Sequence, residues 1–212
     1  SLLFAIPLSF ISCEEDEENN NTDNTTDNQT DKNLIDSAYV VNEGDFQSAN
    51  ATITLLNVDS NVSVTKNKLF NKANGWKLGD IAQSMSFHND KGYIVVNNSQ
   101  KMEIVNKRSF KSVDVIEGLS YPRKFMGISE NKGYLTDGSS SNGNNAHVLV
   151  IDLNSYSIAD SIEVGKGPES MLKKDNKVYV TNFGGYSTGK TVSVIDSEAD
   201  TLLKNITVAV KP

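Results

Sequence analysis

The sequence predicts an all-β fold, a β-propeller built of four-stranded antiparallel blades, and three observations carry that expectation. The first is a pattern written four times. A short apolar strand opens on Tyr39, Tyr93, Tyr134 and Tyr179 and closes on Asn42, Asn97, Asp137 and Asn182; beyond a polar loop, an alternating strand closes on Asn57, Asn106, Asp152 and Asp196. The second is spacing. Those last four residues lie 49, 46 and 44 residues apart, and self-similarity near that period is the mark of a repeat architecture, with a propeller blade as its natural unit. The third is periodicity. Apolar residues come in short bursts punctuated by Gly, Asn, Asp and Pro, and no window sustains the 3.6-residue period of a helix, so very little helix is expected.

Taken in chain order, the first element is an apolar run over residues 2–11, broken only by Pro7 and Ser9. It is too short to span a bilayer and has the length of a signal-peptide core. Ser12 and Cys13 follow, and Cys13 is the only cysteine, so no intrachain disulfide can form. The segment resembles a bacterial lipobox, which implies lipidation at Cys13 and removal of residues 1–12. Phe10 and Ile11 depart from the usual Leu and small residue. Residues 13–35 read as a solvated tether. The first 32 residues hold eight acids and one base, and so account for the whole formal charge of −7. Such a segment has too few apolar groups to offset its ordering entropy. The remaining 180 residues hold 19 acids and 19 bases and are neutral, so no basic surface is expected and nucleic acid is not an expected partner. The membrane would be reached through the lipid anchor alone. The acidic cluster just after Cys13 resembles the export signal of surface lipoproteins in some Gram-negative bacteria, which implies an outer-membrane location facing the cell exterior.

Residues 36–212 form the partial propeller, in blades at about 36–78, 79–117, 118–165 and 166–210. The last blade shows each element. A strand begins at Pro168 and ends in the turn at 174–176; further strands cover 177–182, 192–196 and 202–208. Met85, Met126 and Met171 each lie eight residues before the blade's Tyr, as expected for residues packed between blades. The second copy carries an extra residue, Val96, which reads as a bulge. The first unit lacks an innermost strand, and residues 208–212 match 164–168 at the start of the fourth. Unpaired edges are a liability that ring closure removes. The chain is therefore expected to supply about four blades of a longer ring of about seven.

The hexapeptide at 177–182, the strand at 191–196 and the Val-Gly-x-x-Pro-type junction resemble the YVTN/YncE-like β-propeller repeat family. Residues 39–46, 81–85 and 167–171 are similar to a branch containing bacterial cell-surface lipoproteins. Some members of that group capture cobalamin and pass it to a TonB-dependent outer-membrane transporter. No cobalamin-contacting position transfers residue by residue to this sequence.

Motifs for other chemistry are weak. Residues 184–191 fit the Walker A string, but a phosphate loop needs a following helix, and an alternating strand follows instead. His88 and His147 are the only histidines and fall in different blades at non-equivalent positions, so neither a metal site nor a His-based triad is expected. No cofactor motif stands out. A pair of hydrolytic carboxylates is not singled out either.

Topology gives the better site expectation. In a propeller, the loops joining second to third strands share a face with the connections between blades. Here these are 43–50, 97–101, 137–146 and 182–190, with 71–83, 118–124 and 165–170. They carry the candidate ligand-binding residues Asp45, Phe46, Trp76, Asn98, Gln100, Tyr121, Arg123, Asp137, Glu169, Phe183 and Tyr186. Aromatic rings among polar groups suit a flat or sugar-like ligand. The expected function is non-enzymatic capture of a nutrient, a corrinoid or a glycan, for a TonB-dependent transporter. A protein-interaction or adhesion platform and a glycan hydrolase or lyase are the alternatives.

Overall fold

The computed structural model describes residues 37–58 and 63–212. The apolar leader, Cys13 and the acidic tether lie outside the described residues.

Four antiparallel sheets follow one another along the chain. The first holds β1 (Ser37–Asn42), β2 (Thr52–Asn57) and β3 (Ser63–Lys66). The second holds β4 (Ala82–His88), β5 (Lys91–Val96), β6 (Lys101–Asn106) and β7 (Ser112–Ile116). The third holds β8 (Pro122–Ser129), β9 (Lys132–Asp137), β10 (His147–Asp152) and β11 (Ser157–Glu163). The fourth holds β12 (Pro168–Lys174), β13 (Lys177–Asn182), β14 (Thr191–Asp196) and β15 (Thr201–Thr207). Within each sheet neighbours in space are neighbours in sequence. The chain is thus an all-β array of about four propeller blades, as the repeat predicts.

The core lies between sheets rather than within them. Ile53 and Leu55 of β2 pack with Ile94, Val96 and Phe110. Tyr93, Val95 and Ile104 pack with Phe125, Leu135 and Ile151. Tyr134, Val148 and Val150 pack with Val178, Val180 and Ile195. This is the period-2 alternation of the strands put to use, since residues i and i+2 share a face. Each fully buried Ile or Phe contributes about 1.5–3 kcal/mol.

The repeated Tyr acts as a staple to the next blade. Tyr39 stacks on Phe110, with ring centroids 5.6 Å apart and an interplanar angle of 11°. Tyr93 joins the cluster against which Tyr156 packs. The Tyr134 hydroxyl donates to the Asp200 carboxylate, which also accepts from Lys132 Nζ at 2.8 Å. Phe110, Tyr156 and Asp200 each end the turn between third and fourth strands with positive φ, at 58°, 49° and 53°. Burial, and then the Asp200 hydrogen bond, push the Tyr134 phenol well above its ordinary value.

Two local readings need correction. Residues 71–83, read as a loop, begin inside a short helix, α1 (Leu69–Asn74). Six residues are too few to show a helical period. Burial of Leu69 and Phe70 under the first two sheets holds the turn, and Gly75, at φ 85°, ends it by donating its N–H to the Asn71 carbonyl. The extra residue Val96 is not a bulge, because it pairs in register with Lys101. The register shift lies on the facing strand, between Ala82 and Ser84.

Candidate functional site

That shift recurs at the same place in each complete blade. It falls between Ala82 and Ser84 on β4, between Pro122 and Phe125 on β8, and between Pro168 and Met171 on β12. A bulge re-aims the side chains it carries, and here those include Gln83, Arg123 and Glu169. The three meet across three blades. Arg123 Nη1 donates to Gln83 Oε1 at 2.7 Å; Nε and Nη2 donate to the two Glu169 oxygens at 2.7 and 3.1 Å. The fork of two parallel bonds is the strong form of an Arg–carboxylate contact. Hydroxyls tie the strands beneath, with Ser84 Oγ donating to the Arg123 carbonyl at 2.7 Å and Thr136 Oγ1 to the Glu169 carbonyl at 3.2 Å.

The blade connections and inter-strand loops do lie against one another. Leu119 N–H donates to the Gln100 carbonyl, Gly138 to Tyr121, Gly167 to Gly143, and Phe183 to Gly167. Between the third and fourth sheets the loops part to leave a cavity of about 380 Å³. Its walls include Tyr121, Phe183 and Tyr186, with the Arg123–Glu169 pair and Lys211. Burial first, and then the neighbouring Tyr186 phenol, raise the Tyr121 phenol above its ordinary value. The Arg123 guanidinium carbon lies 5.6 Å from the Tyr121 ring centroid, and Lys211 Nζ lies 4.5 Å from that of Phe183, both within cation–π range.

Glycine makes this approach possible. Gly167 has φ 59°, and a Cβ there would sit 2.5 Å from Gly185 N and 2.6 Å from the Gly184 carbonyl carbon. A Cβ on Gly185 would meet the Ser141 carbonyl oxygen at 2.2 Å. The glycines of the apparent Walker A string therefore seat one loop against its neighbour. Thr191 opens β14, so the string has no helix N-terminus at which to hold phosphate.

Of the expected ligand-binding residues, the structure gathers Tyr121, Arg123, Glu169, Phe183 and Tyr186 around the cavity. The others are placed elsewhere. Asp137 is buried, its carboxylate accepting from the backbone N–H groups of Ser120, Tyr121 and Ser139 at 2.8, 2.7 and 2.8 Å. Asn98 donates to Asp80, and Gln100 Nε2 to the Ser120 carbonyl at 3.4 Å. Asp45 accepts from Asn50 Nδ2 at 3.0 Å. Phe46 is 66% exposed, and Trp76 meets Phe70 edge-on at 6.1 Å. His88 Nε2 lies 2.8 Å from the Ser129 carbonyl and so ties the second sheet to the third.

Sequence reasoning missed Gln83, Pro168 and Lys211. Lys211 was within reach, because residues 208–212 match 164–168 and so put it in register with Gly167. Gln83 was not, because its role depends on a bulge that no single-strand pattern reveals.

The model of one family, described as Domain of unknown function (DUF5074), matches residues 36–211. No curated protein matches the chain. Among solved structures, the hydrazine synthase of Kuenenia stuttgartiensis is similar at TM-score 0.61 and 15% identity, over 74% of this chain and 43% of that one. Apo AztD from Citrobacter koseri follows at TM-score 0.52 and 14% identity, over 84% and 45%. BamB from Moraxella catarrhalis gives 0.54 and 10%, over 80% and 46%. The chain thus spans less than half the length of these three structures. At such identities the likeness is one of fold. That fold hosts enzymes and non-enzymes alike, so chemistry has to be read from the site.

Proposed function

The chain belongs to the DUF5074 family, and on that premise we propose that it captures a small ring-bearing nutrient on its loop face without transforming it. The observation that carries this reading is the cavity between the third and fourth sheets, with three aromatic walls and a guanidinium–carboxylate pair beside them. A concave, largely pre-formed site with a few fixed polar groups is how proteins hold small molecules. The Arg123 fork and the glycine contacts keep the site in shape before a ligand arrives, which limits the ordering cost of binding.

Hydrolysis is the weaker reading. Glycoside cleavage by the usual route needs two carboxylates. Glu169 is the only carboxylate among the residues lining the cavity, and Arg123 holds both its oxygens.

In the same reading Cys13 carries the lipid and residues 14–35 space the propeller from the outer membrane, facing outward. The ligand, a corrinoid or a glycan, then passes to a TonB-dependent transporter. The likeness of the repeat to YVTN/YncE-like surface lipoproteins supports this assignment, as does the run of acids directly after Cys13.

Calorimetry of the full-length protein with cobalamin and with oligosaccharides tests the proposal. Binding of one class is expected, weakened about tenfold, or 1.4 kcal/mol, by Tyr186→Ala. Absence of binding to either class would overturn capture and leave a protein-interaction surface as the reading to pursue.

A further inference from the structure

We infer that the long connection between the first and second sheets, with the turn it packs on, is a docking surface for the anionic headgroups of a lipid bilayer. This surface is separate from the cavity and goes beyond ligand capture.

The connections between sheets are unequal. Fifteen residues, 67–81, join β3 to β4, whereas five, 117–121, join β7 to β8 and four, 164–167, join β11 to β12. Passing from one sheet to the next therefore does not require α1 or the residues around it. The added chain is basic. Residues 66–77 hold Lys66, Lys68, Lys72 and Lys77 and no acid; residues 107–111, which span the turn between β6 and β7, hold Lys107, Arg108 and Lys111 and no acid. The equal number of acids and bases over residues 33–212 hides this local excess.

Hydrogen bonds bring the two segments together. Lys111 Nζ donates to the Ala73 carbonyl, Asn74 Nδ2 donates to the Phe110 carbonyl at 3.1 Å, and Ser112 N–H donates to Asn74 Oδ1 at 2.8 Å. Phe70 and Phe110 share one buried cluster beneath them. All six lysines are exposed. Of the flanking acids, Asp90 pairs with Lys91 at 2.7 Å, and Asp114 accepts from the Val115 N–H at 2.7 Å. The surface lies over the junction of two sheets that the structure describes on both sides.

Trp76 selects the kind of anion. Its ring meets Phe70 edge-on at 6.1 Å, yet the residue is 53% exposed. An exposed Trp among lysines suits a bilayer interface. The indole sits at headgroup level, and the lysine stems lie along the surface with their ammonium groups on the phosphates. Nucleic acid fits less well. Lysines outnumber arginines six to one in these segments, so bidentate guanidinium–phosphate pairing is scarce, and a single exposed indole is no platform for successive bases. The lipid proposed at Cys13 would hold the protein close to such a bilayer, and the chain enters the propeller at β1, in the same sheet from which the connection leaves.

Trp76 is the only tryptophan, so its emission reports on this surface and not on residues 1–35. The test titrates the full-length protein carrying Cys13→Ala, to which no lipid is attached, with vesicles of phosphatidylcholine alone or mixed with phosphatidylglycerol, and follows emission and co-sedimentation together. The emission is expected to move to the blue with the anionic vesicles, which should bind at least about tenfold more tightly than the neutral ones, and salt should reverse the binding. Lys68→Gln, Lys72→Gln and Lys77→Gln combined should weaken it by about fivefold per lysine. Lys174→Gln, Lys177→Gln and Lys204→Gln combined remove the same charge from exposed positions of the fourth sheet and should bind as the parent does. Melting temperatures check that both variants are folded, and the parent titrations decide docking without them. Equal binding to neutral and anionic vesicles, or sedimentation with no change in emission, overturns the inference. So does an emission shift with duplex DNA that vesicles do not produce, or an equal loss in the two triple variants. Binding of cobalamin or oligosaccharide is measured without vesicles, so failure of capture and failure of docking are read separately.

Discussion

Two junctions on the loop face each bury an aspartate, and they hold it differently. At the third blade, Asp137 is 4% exposed and both its oxygens are used, one by Ser120 N–H and the other by Tyr121 and Ser139. Between the first and second blades, Asp80 is 7% exposed, and one oxygen takes both donors, Gln47 N–H and Asn98 Nδ2. Its other oxygen meets no partner among the described residues. Backbone strain does not follow that division. Around Asp80, Gln47, Ala49 and Ile81 hold φ of 62°, 48° and 58°, and in the loop of Asp137 Ser139 and Asn145 hold 54° and 52°, conformations that cost a non-glycine residue roughly 1–3 kcal/mol each. What differs is the pairing of the carboxylate and what packs beside it. On the cavity side Gly167 and Gly185 seat the fourth blade's loops against the loop that follows Asp137. A binding site gains from walls fixed in advance, and the cavity adjoins the junction whose aspartate is fully paired.

The most severe way to break this contrast is to give Gly167 a side chain. In Gly167→Val the new Cβ would lie 2.5 and 2.6 Å from backbone atoms of Gly185 and Gly184, which no rotamer change can relieve. A loss of about 3 kcal/mol is expected, read as a lower urea midpoint, together with loss of ligand binding. A variant that keeps both the parent midpoint and its binding would show that the loops are not seated as described.

Next in size is Asp137→Asn. The carboxylate accepts three amides, and an Asn presents one acceptor and one NH2 in their place, so at least one buried N–H would face a donor. Losing a buried charge-assisted acceptor costs about 2 kcal/mol. The urea midpoint should fall accordingly. An unchanged midpoint would mean that water reaches Ser120 and Tyr121, and that the loop is not locked.

How far the sequence reveals this arrangement depends on whether a feature is local or shared. Strand β13 is legible because alternation along 177–182 is a property of one segment. The closing Asp137 is equally visible as a repeated position, yet its partners at 120, 121 and 139 are not, since they come from two separate connections. The same limit hides Gln83 and the Arg123 fork, which arise only once β4, β8 and β12 stand side by side with matching bulges. Helix α1 escapes for another reason. Its six residues complete fewer than two turns, and burial of Phe70 rather than any periodic pattern fixes it.

The smallest effect is expected at Asp80, and its size is what gives the comparison force. In Asp80→Asn the amide oxygen can keep both existing donors, while the NH2 falls where the unpartnered oxygen now lies. The side chain loses the strength of charge-assisted bonds, and it also loses a buried charge that no cation pairs with among the described residues, which is costly to keep. The two changes oppose each other, so stability should move by no more than about 0.5 kcal/mol, well short of the loss at Asp137. Parallel urea titrations of the two variants measure that difference directly. If Asp80→Asn falls as far as Asp137→Asn, the second oxygen of Asp80 has a partner in solution, and the two junctions are equally satisfied. If it holds, the first junction tolerates an imperfectly paired carboxylate that the third blade, next to the cavity, does not.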